Sequence, residues 1–323
     1  MPHSTFTRTL AVAATVGALL SLTLAGCTAK TDTSASCSGG VASGSLSDGI
    51  KATGKQGSAP TVTFDKGLST DKTEKTTLVT GKGKLIEKGD PVIFQVSLYD
   101  GKTGAKATTT DYKSSGTYLV AGPNANLNAL SSGLVCSHVG DRIAIAASPK
   151  DATGGKGIAD YKIGATDSVV FVADILKAFP GRAEGEAQKP VSGQPTVKLS
   201  STGAPTITIP KTKAPTTLQS TTLIKGSGAK VAEGDTLMMQ YTGVLYSDGK
   251  VFDSSWKNGQ PLVGSLTSGQ LIDGWVKGLA GKTIGSQVLL VVPPADGYGD
   301  KANASIPANS TLVFVVDILG KVS

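Results

Sequence analysis

The sequence predicts an α+β protein built twice over, as two tandem domains that are each an antiparallel sheet with one short helix packed on it. Three observations carry this reading. Blocks of sequence recur at a constant spacing, apolar β-branched runs are bounded by turn residues, and each half holds one segment with apolar residues at helical spacing. Ala59–Phe64 (APTVTF) returns as Ala204–Ile209 (APTITI), Thr77–Asp90 (TLVTGKGKLIEKGD) as Thr222–Asp235 (TLIKGSGAKVAEGD), and Asn126–Gly140 as Leu271–Gly285, each 145 positions on. VVFVADIL at 169–176 returns as LVFVVDIL at 312–319, a shift of 143. One spacing held over so many blocks marks a duplication.

Taken in chain order, residues 1–26 read as an address. Arg8 precedes an uncharged apolar run, Leu10–Ala25, short for a membrane span and ending in small residues, the pattern of a secretory signal. Leu24-Ala25-Gly26-Cys27 resembles a bacterial lipobox, which implies cleavage before Cys27 and a lipid on that residue. The protein would then sit outside the cytoplasm, lipid-anchored to the bacterial cell membrane. Residues 27–45, rich in Ser, Thr, Gly and Ala, read as the lipidated Cys and a flexible tether. Outside the cytoplasm two cysteines more often pair than stay apart, so Cys37 and Cys136 are expected as a disulfide, with two free thiols as the alternative.

Within the halves, Asp235–Leu245, Gln287–Val292 and Thr311–Leu319 read as strands. Leu271–Ala280 places Leu271, Trp275, Val276 and Leu279 on one helical face. Gly274 and Gly278 lower its intrinsic helicity, so packing must hold it. A polar Gly/Pro-bearing stretch, 181–195, separates the halves as a linker.

Composition excludes several chemistries. There are two histidines, and with His3 in the leader only His138 remains, too few for a two-His metal site. No His/Cys/Asp cluster has metal spacing, so neither metal nor cofactor is expected. The net charge of +7 is scattered in single lysines, which argues against nucleic acid as a partner. Gly278–Thr283 lacks a phosphate loop's first glycine, since position 276 is Val276. Cys136-Ser137-His138 are chain neighbours that cannot face one another as a nucleophile and its base.

The C-terminal half carries a specific set of motifs. Gln240-Tyr241-Thr242-Gly243 is followed by Asp248–Ser255 (DGKVFDSS), Leu271-Ile272-Asp273-Gly274-Trp275, Val292–Gly299 (VPPADGYG), Ile306-Pro307 and Leu312-Val313-Phe314. In this order and spacing they resemble the FKBP-type peptidyl-prolyl isomerases over Thr222–Val322. The resemblance implies two tandem FKBP-like domains, each a twisted antiparallel sheet wrapped around a short helix. It places a degenerate domain at 46–180 and an isomerase domain at 196–323. It also implies a site: Trp275 as floor under the proline ring, Tyr241, Phe252 and Phe314 as walls, and Leu271 and Ile272 beside the floor. Tyr298 resembles the hydroxyl donor to a substrate carbonyl, with the Ile272 N–H as a second donor. Asp253 resembles the carboxylate facing the twisting bond, and Ile306 lies in the loop over the site. Departures are Leu262, Val263 and Gly264 after Pro261, where the family often has aromatics, Asn258 where some members carry a cation, and a short Gly299–Ile306 loop.

The chemistry fits such a residue set. An X–Pro bond rotates over a barrier of ~18–20 kcal/mol set by amide resonance. Lowering it needs no nucleophile or metal, only a dry apolar slot that prefers the twisted bond. In the first half, Val96, Leu130 and Thr153 stand at the positions of Tyr241, Trp275 and Tyr298, while Phe171 matches Phe314. The Phe-Asp pair has no clear counterpart there, Asp111 being the nearest match to Asp253. That half is expected to be inactive. The resemblance thus implies a membrane-anchored, extracytoplasmic isomerase acting on proline-containing exported polypeptides, with macrolide inhibitors as a further ligand class. The alternative is a non-catalytic chaperone or peptide-binding surface lipoprotein on the same fold.

Overall fold

Strong β-formers dominate the long apolar runs, and the chain folds accordingly into sheets with few helices. The computed structural model describes residues 37–124 and 127–322; the leader, Cys27 and the start of the tether lie outside these. Two antiparallel sheets dominate. In the first the order is Glu74–Val79, Arg142–Ala147, Val169–Ala178, Pro91–Asp100 and Lys106–Thr109, with Thr117–Val120 also on Pro91–Asp100. In the second it is Val251–Ser254, Thr236–Leu245, Leu312–Lys321, Gln287–Val292 and Gln219–Lys225, with Leu262–Ser265 also on Thr236–Leu245. Each strand of the first sheet recurs in the second after 143 to 145 positions, as do the helices Asn128–Leu134 and Asp273–Leu279.

Both faces of the second sheet are covered, which explains why its central strands are apolar nearly throughout. The helix Asp273–Leu279 lies on one face, where Trp275, Val276 and Leu279 pack with Leu237, Val288, Leu290 and Val316. A small hairpin, Thr196–Leu199 with Pro205–Thr208, covers the other, where Val197 and Ile207 meet Leu289, Val313 and Val315. Close approach of helix to sheet accounts for its two glycines. A Cβ on Gly274 would lie 2.5 Å from a Val292 methyl, and one on Gly278 2.5 Å from a Leu290 methyl. The helix is shorter than the Leu271–Ala280 pattern because Ile272 is already extended backbone at its N-cap.

Two segments read from composition as loose are fastened. Cys37 and Cys136 form a disulfide, with Cα atoms 5.6 Å apart. Beyond it, Ala42 accepts a backbone hydrogen bond from Lys75, and the N–H groups of Leu46 and Ser47 donate to the Glu74 carboxylate. In the linker, Glu186–Ala187 adds a two-residue strand to the second sheet's edge. Ala183 is buried and donates its N–H to Asp317 Oδ2 at 2.8 Å.

Equivalent positions of the sheets hold two buried carboxylates in different company. In the first, Arg142 donates to Asp174 twice, at 2.5 and 2.7 Å, and both are buried. In the second, Gln287 replaces the arginine and donates to Asp317 Oδ1 at 2.7 Å. Among the described residues Asp317 has hydrogen-bond donors but no ion-pair partner, and burial, outweighing these donors and the Arg182 charge, pushes its carboxyl up to about 6. Its contribution to stability is full below the ordinary carboxylate range, near pH 3.8, and is lost as pH rises through about 6. Asp317→Asn, with the Gln287 amide turned to accept, should leave stability at pH 4 unchanged. Above pH 6 it should raise stability by about 1–3 kcal/mol. Urea unfolding of parent and variant between pH 4 and 7.5 reads this difference, and parallel curves across that range would refute it.

Candidate active site

The site forms where one face of the second sheet meets the N-terminus of the helix Asp273–Leu279. Strand Thr236–Leu245 brings Tyr241, strand Val251–Ser254 brings Phe252 and Asp253, and strand Leu312–Lys321 brings Phe314. The helix contributes Trp275 and its N-cap Ile272, preceded by Leu271. The 3-10 turn Pro294–Asp296 leads to Tyr298, and the following loop folds back through an Asn303–Ile306 bridge. All nine residues singled out in the sequence line one cleft of about 740 Å³. Gln270, Asn303 and Ser305 add polar groups to its rim; no sequence pattern marked them.

Aromatic rings build the walls edge to face. Tyr241 and Phe314 each meet Trp275 with centroids 5.3 Å apart, and Phe252 meets Phe314 at 5.5 Å, all within 10° of perpendicular. This is the favoured geometry for rings with negative faces and positive edges. Trp275 is 3% exposed and Phe314 4%, whereas Tyr298 at the rim is 37% exposed. Trp275 and Phe314 are therefore shielded from solvent, while Tyr298 is partly exposed at the rim.

Polar groups hold one wall in place. Tyr241 donates its hydroxyl to Asp253 Oδ2. Burial, then this bond, pushes the Tyr241 hydroxyl well above its ordinary value, so it stays a protonated donor at neutral pH. Asp253 Oδ1 accepts from the Ser254 N–H at 2.8 Å and Asn258 Nδ2 at 3.2 Å. Asn258 thus meets the Asp253 carboxylate with an uncharged amide. Ser255 Oγ accepts from the Tyr241 N–H at 2.7 Å and also bonds Gln240, fastening the outer strand's end beneath the wall. The second serine of the Phe252–Ser255 motif was the only sequence signal for that role.

In the first sheet the equivalent residues are filled in. Strand pairing sets Leu98 opposite Thr108 as it sets Gly243 opposite Asp253. Thr108 and Ala107 therefore stand where the second sheet has Asp253 and Phe252, which corrects the alignment with Asp111. The Asp111 carboxylate instead closes a local turn, accepting the N–H groups of Lys113 and Ser114 at 3.0 Å. Leu98, Leu130 and Phe171 are buried together in one core with Val96 against it.

An apolar, ring-lined slot with hydroxyl and amide donors at its rim has the shape and chemistry to admit a small ring and to offer hydrogen bonds to carbonyls beside it. The model of the FKBP-type peptidyl-prolyl cis-trans isomerase family matches residues 227–319. FK506-binding protein 2 of Aspergillus oryzae is 43% identical over 91 residues, 28% of this chain and 68% of the relative. FK506-binding protein 1 of the same organism is 42% identical over 106 residues, covering 30% of this chain and 91% of the relative. Among solved structures, that of FkpA from Escherichia coli is 36% identical over 41% of this chain and 52% of its own, with a TM-score of 0.31. The chain belongs to the FKBP-type peptidyl-prolyl cis-trans isomerase family.

Proposed function

We propose that the protein is an extracytoplasmic, lipid-anchored peptidyl-prolyl isomerase with two tandem FKBP-like domains, acting on proline-containing segments of exported polypeptides. The single observation that carries this reading is the convergence of Tyr241, Phe252, Trp275 and Phe314 on one cleft with Asp253 and Tyr298 at its edge. A proline ring entering the slot leaves water for the Trp275 floor. The Tyr298 hydroxyl and Ile272 N–H are available to the carbonyls on either side. A carbonyl turning out of conjugation loses resonance with the prolyl nitrogen, and the apolar walls favour that less polar, twisted amide over its hydrated planar form. No proton is transferred in this scheme, consistent with a fold served by few histidines.

The domain from 46 to 180 lacks the slot and is read as a non-catalytic partner of the domain from 196 to 323. The leader pattern ending at Cys27 supports the anchoring, as does the disulfide, which suits an oxidising compartment. Macrolides that mimic a prolyl group are the expected inhibitor class.

The test is cis-to-trans relaxation of a Leu-Pro peptide with the full chain. Trp275→Leu should lower kcat/KM at least about 10-fold by opening the floor, and Tyr298→Phe and Asp253→Ala by smaller factors. A parent chain that accelerates nothing would leave the non-catalytic peptide-binding reading. For the anchor, Cys27→Ser should release the protein from membranes.

A further inference from the structure

The two sheets meet through positions that are equivalent in the duplication. One apolar cluster draws Ile93 and Met238, Tyr118 and Val263, and Leu176 and Leu319 together, each pair 143 to 145 positions apart. Phe179 and Val322, also 143 apart, complete it. The same patch of each repeat thus faces the other, the pattern of an isologous two-fold contact held inside one chain. Two hydrogen bonds flank it: Lys177 Nζ donates to the Val322 carbonyl at 2.6 Å, and the Tyr118 hydroxyl to the Pro261 carbonyl at 3.2 Å.

Pro261 and Val263 bracket Leu262, and Leu262 lines the cleft. Alternation along a strand explains how one short segment serves both sides. Val263 pairs with Met238, and both enter the shared cluster; Leu262 pairs with Met239, and both pack on the core beneath the cleft. The first repeat therefore grips this strand by its outer face and by the carbonyl that precedes it.

We propose that the first repeat is a docked pseudo-two-fold mate of the catalytic repeat, and that Tyr118 is a positioning residue which, through Pro261, fixes the Leu262 wall of the prolyl cleft. This rests on the isomerase reading of that cleft. It gives the slotless repeat a part in the reaction that does not require a site of its own. It also explains why the cleft keeps a definite wall where the aromatic residues of many relatives are replaced by Leu262, Val263 and Gly264.

A double-mutant cycle in the full chain tests this. Tyr118→Phe removes one hydroxyl and leaves the ring in the cluster, so the fold should persist with an unchanged melting temperature. It should lower kcat/KM for a Leu-Pro peptide about 3- to 5-fold, through KM rather than kcat. In a Leu262→Ala background, where the wall is gone, the same substitution should change nothing. Gly320→Ala supplies a second probe, because its Cβ would lie 2.3 Å from Phe179 Cδ1 and wedge the interface. It should reproduce the rise in KM. An unchanged KM in Tyr118→Phe and Gly320→Ala, or an equal effect of Tyr118→Phe in both backgrounds, would overturn the proposal. The cycle is also read as the Kd of the same peptide by tryptophan fluorescence. A chain that binds without catalysing would thus defeat the isomerase reading while still deciding this one.

Discussion

Replacing Arg142 with Met should lower the stability of the protein by about 3–5 kcal/mol, the largest single effect expected in the chain. The guanidinium is 1% exposed and spends nearly all of its donors. Beyond its two bonds to Asp174, it reaches the carbonyls of Gly54 at 2.9 Å and of Lys55 and Ser58 at 3.2 Å. These lie in the turn of the hairpin Lys51–Thr53 with Thr61–Thr63, which Arg142 thereby fastens to the sheet. Asp174 Oδ2 accepts from the Gly57 N–H of the same turn at 2.8 Å. Removing the cation leaves a carboxylate with no exposed surface and one backbone donor, along with several orphaned carbonyls. Arg142→Gln should be milder, because it copies the Gln287–Asp317 arrangement of the other sheet. Urea unfolding of the two variants, with proteolysis of the 54–58 turn, measures both. A loss under about 1 kcal/mol for Arg142→Met would show that the pair does not fasten the hairpin.

Gly243→Ala should reduce kcat/KM by about 30- to 100-fold while costing only about 1–3 kcal/mol of stability. Gly243 is opposite Asp253 on one side and Phe314 on the other, just before a shift in register with the Val251–Ser254 strand. Its importance is spatial. A Cβ there would lie 2.5 Å from Phe252 Cζ, 2.7 Å from its Cε2 and 2.9 Å from Phe314 Cε1. Neither ring can retreat without breaking the perpendicular contact between them, and Phe314 is also braced by Trp275. The methyl would therefore displace two walls of the slot at once. Leu98 at the equivalent place in the first sheet shows what the fold accepts when no slot has to be kept open. Near-parental kcat/KM in Gly243→Ala would mean that the Phe252–Phe314 geometry does not shape the bound state.

Much of this could be read in the sequence, for identifiable reasons. The strand Gln287–Val292 has the ends its apolar run suggests, because turn residues bound it on both sides. The nine cleft residues were legible because they sit in short motifs whose spacing survives. Partnerships across strands were not. That Gln287 answers Asp317 depends on register, and one position of slip changes every partner. The contact between repeats was hidden for another reason. Ile93, Met238, Leu176 and Leu319 belong to runs that are apolar on both faces, so nothing distinguishes an outer face covered by the other repeat from one covered by a hairpin.

The Cys37–Cys136 bridge has a mechanical consequence. It joins residues 99 positions apart, near the start of the described chain and just past the helix Asn128–Leu134. A pull on the chain ahead of Cys37 enters the fold at Cys136 and passes directly onward toward the C-terminus. The 98 residues between the two cysteines form a closed loop that carries no tension. The edge strand Glu74–Val79, which such a pull would otherwise peel away hydrogen bond by hydrogen bond, is out of the load path. Once reduced, the same chain would unzip from that edge.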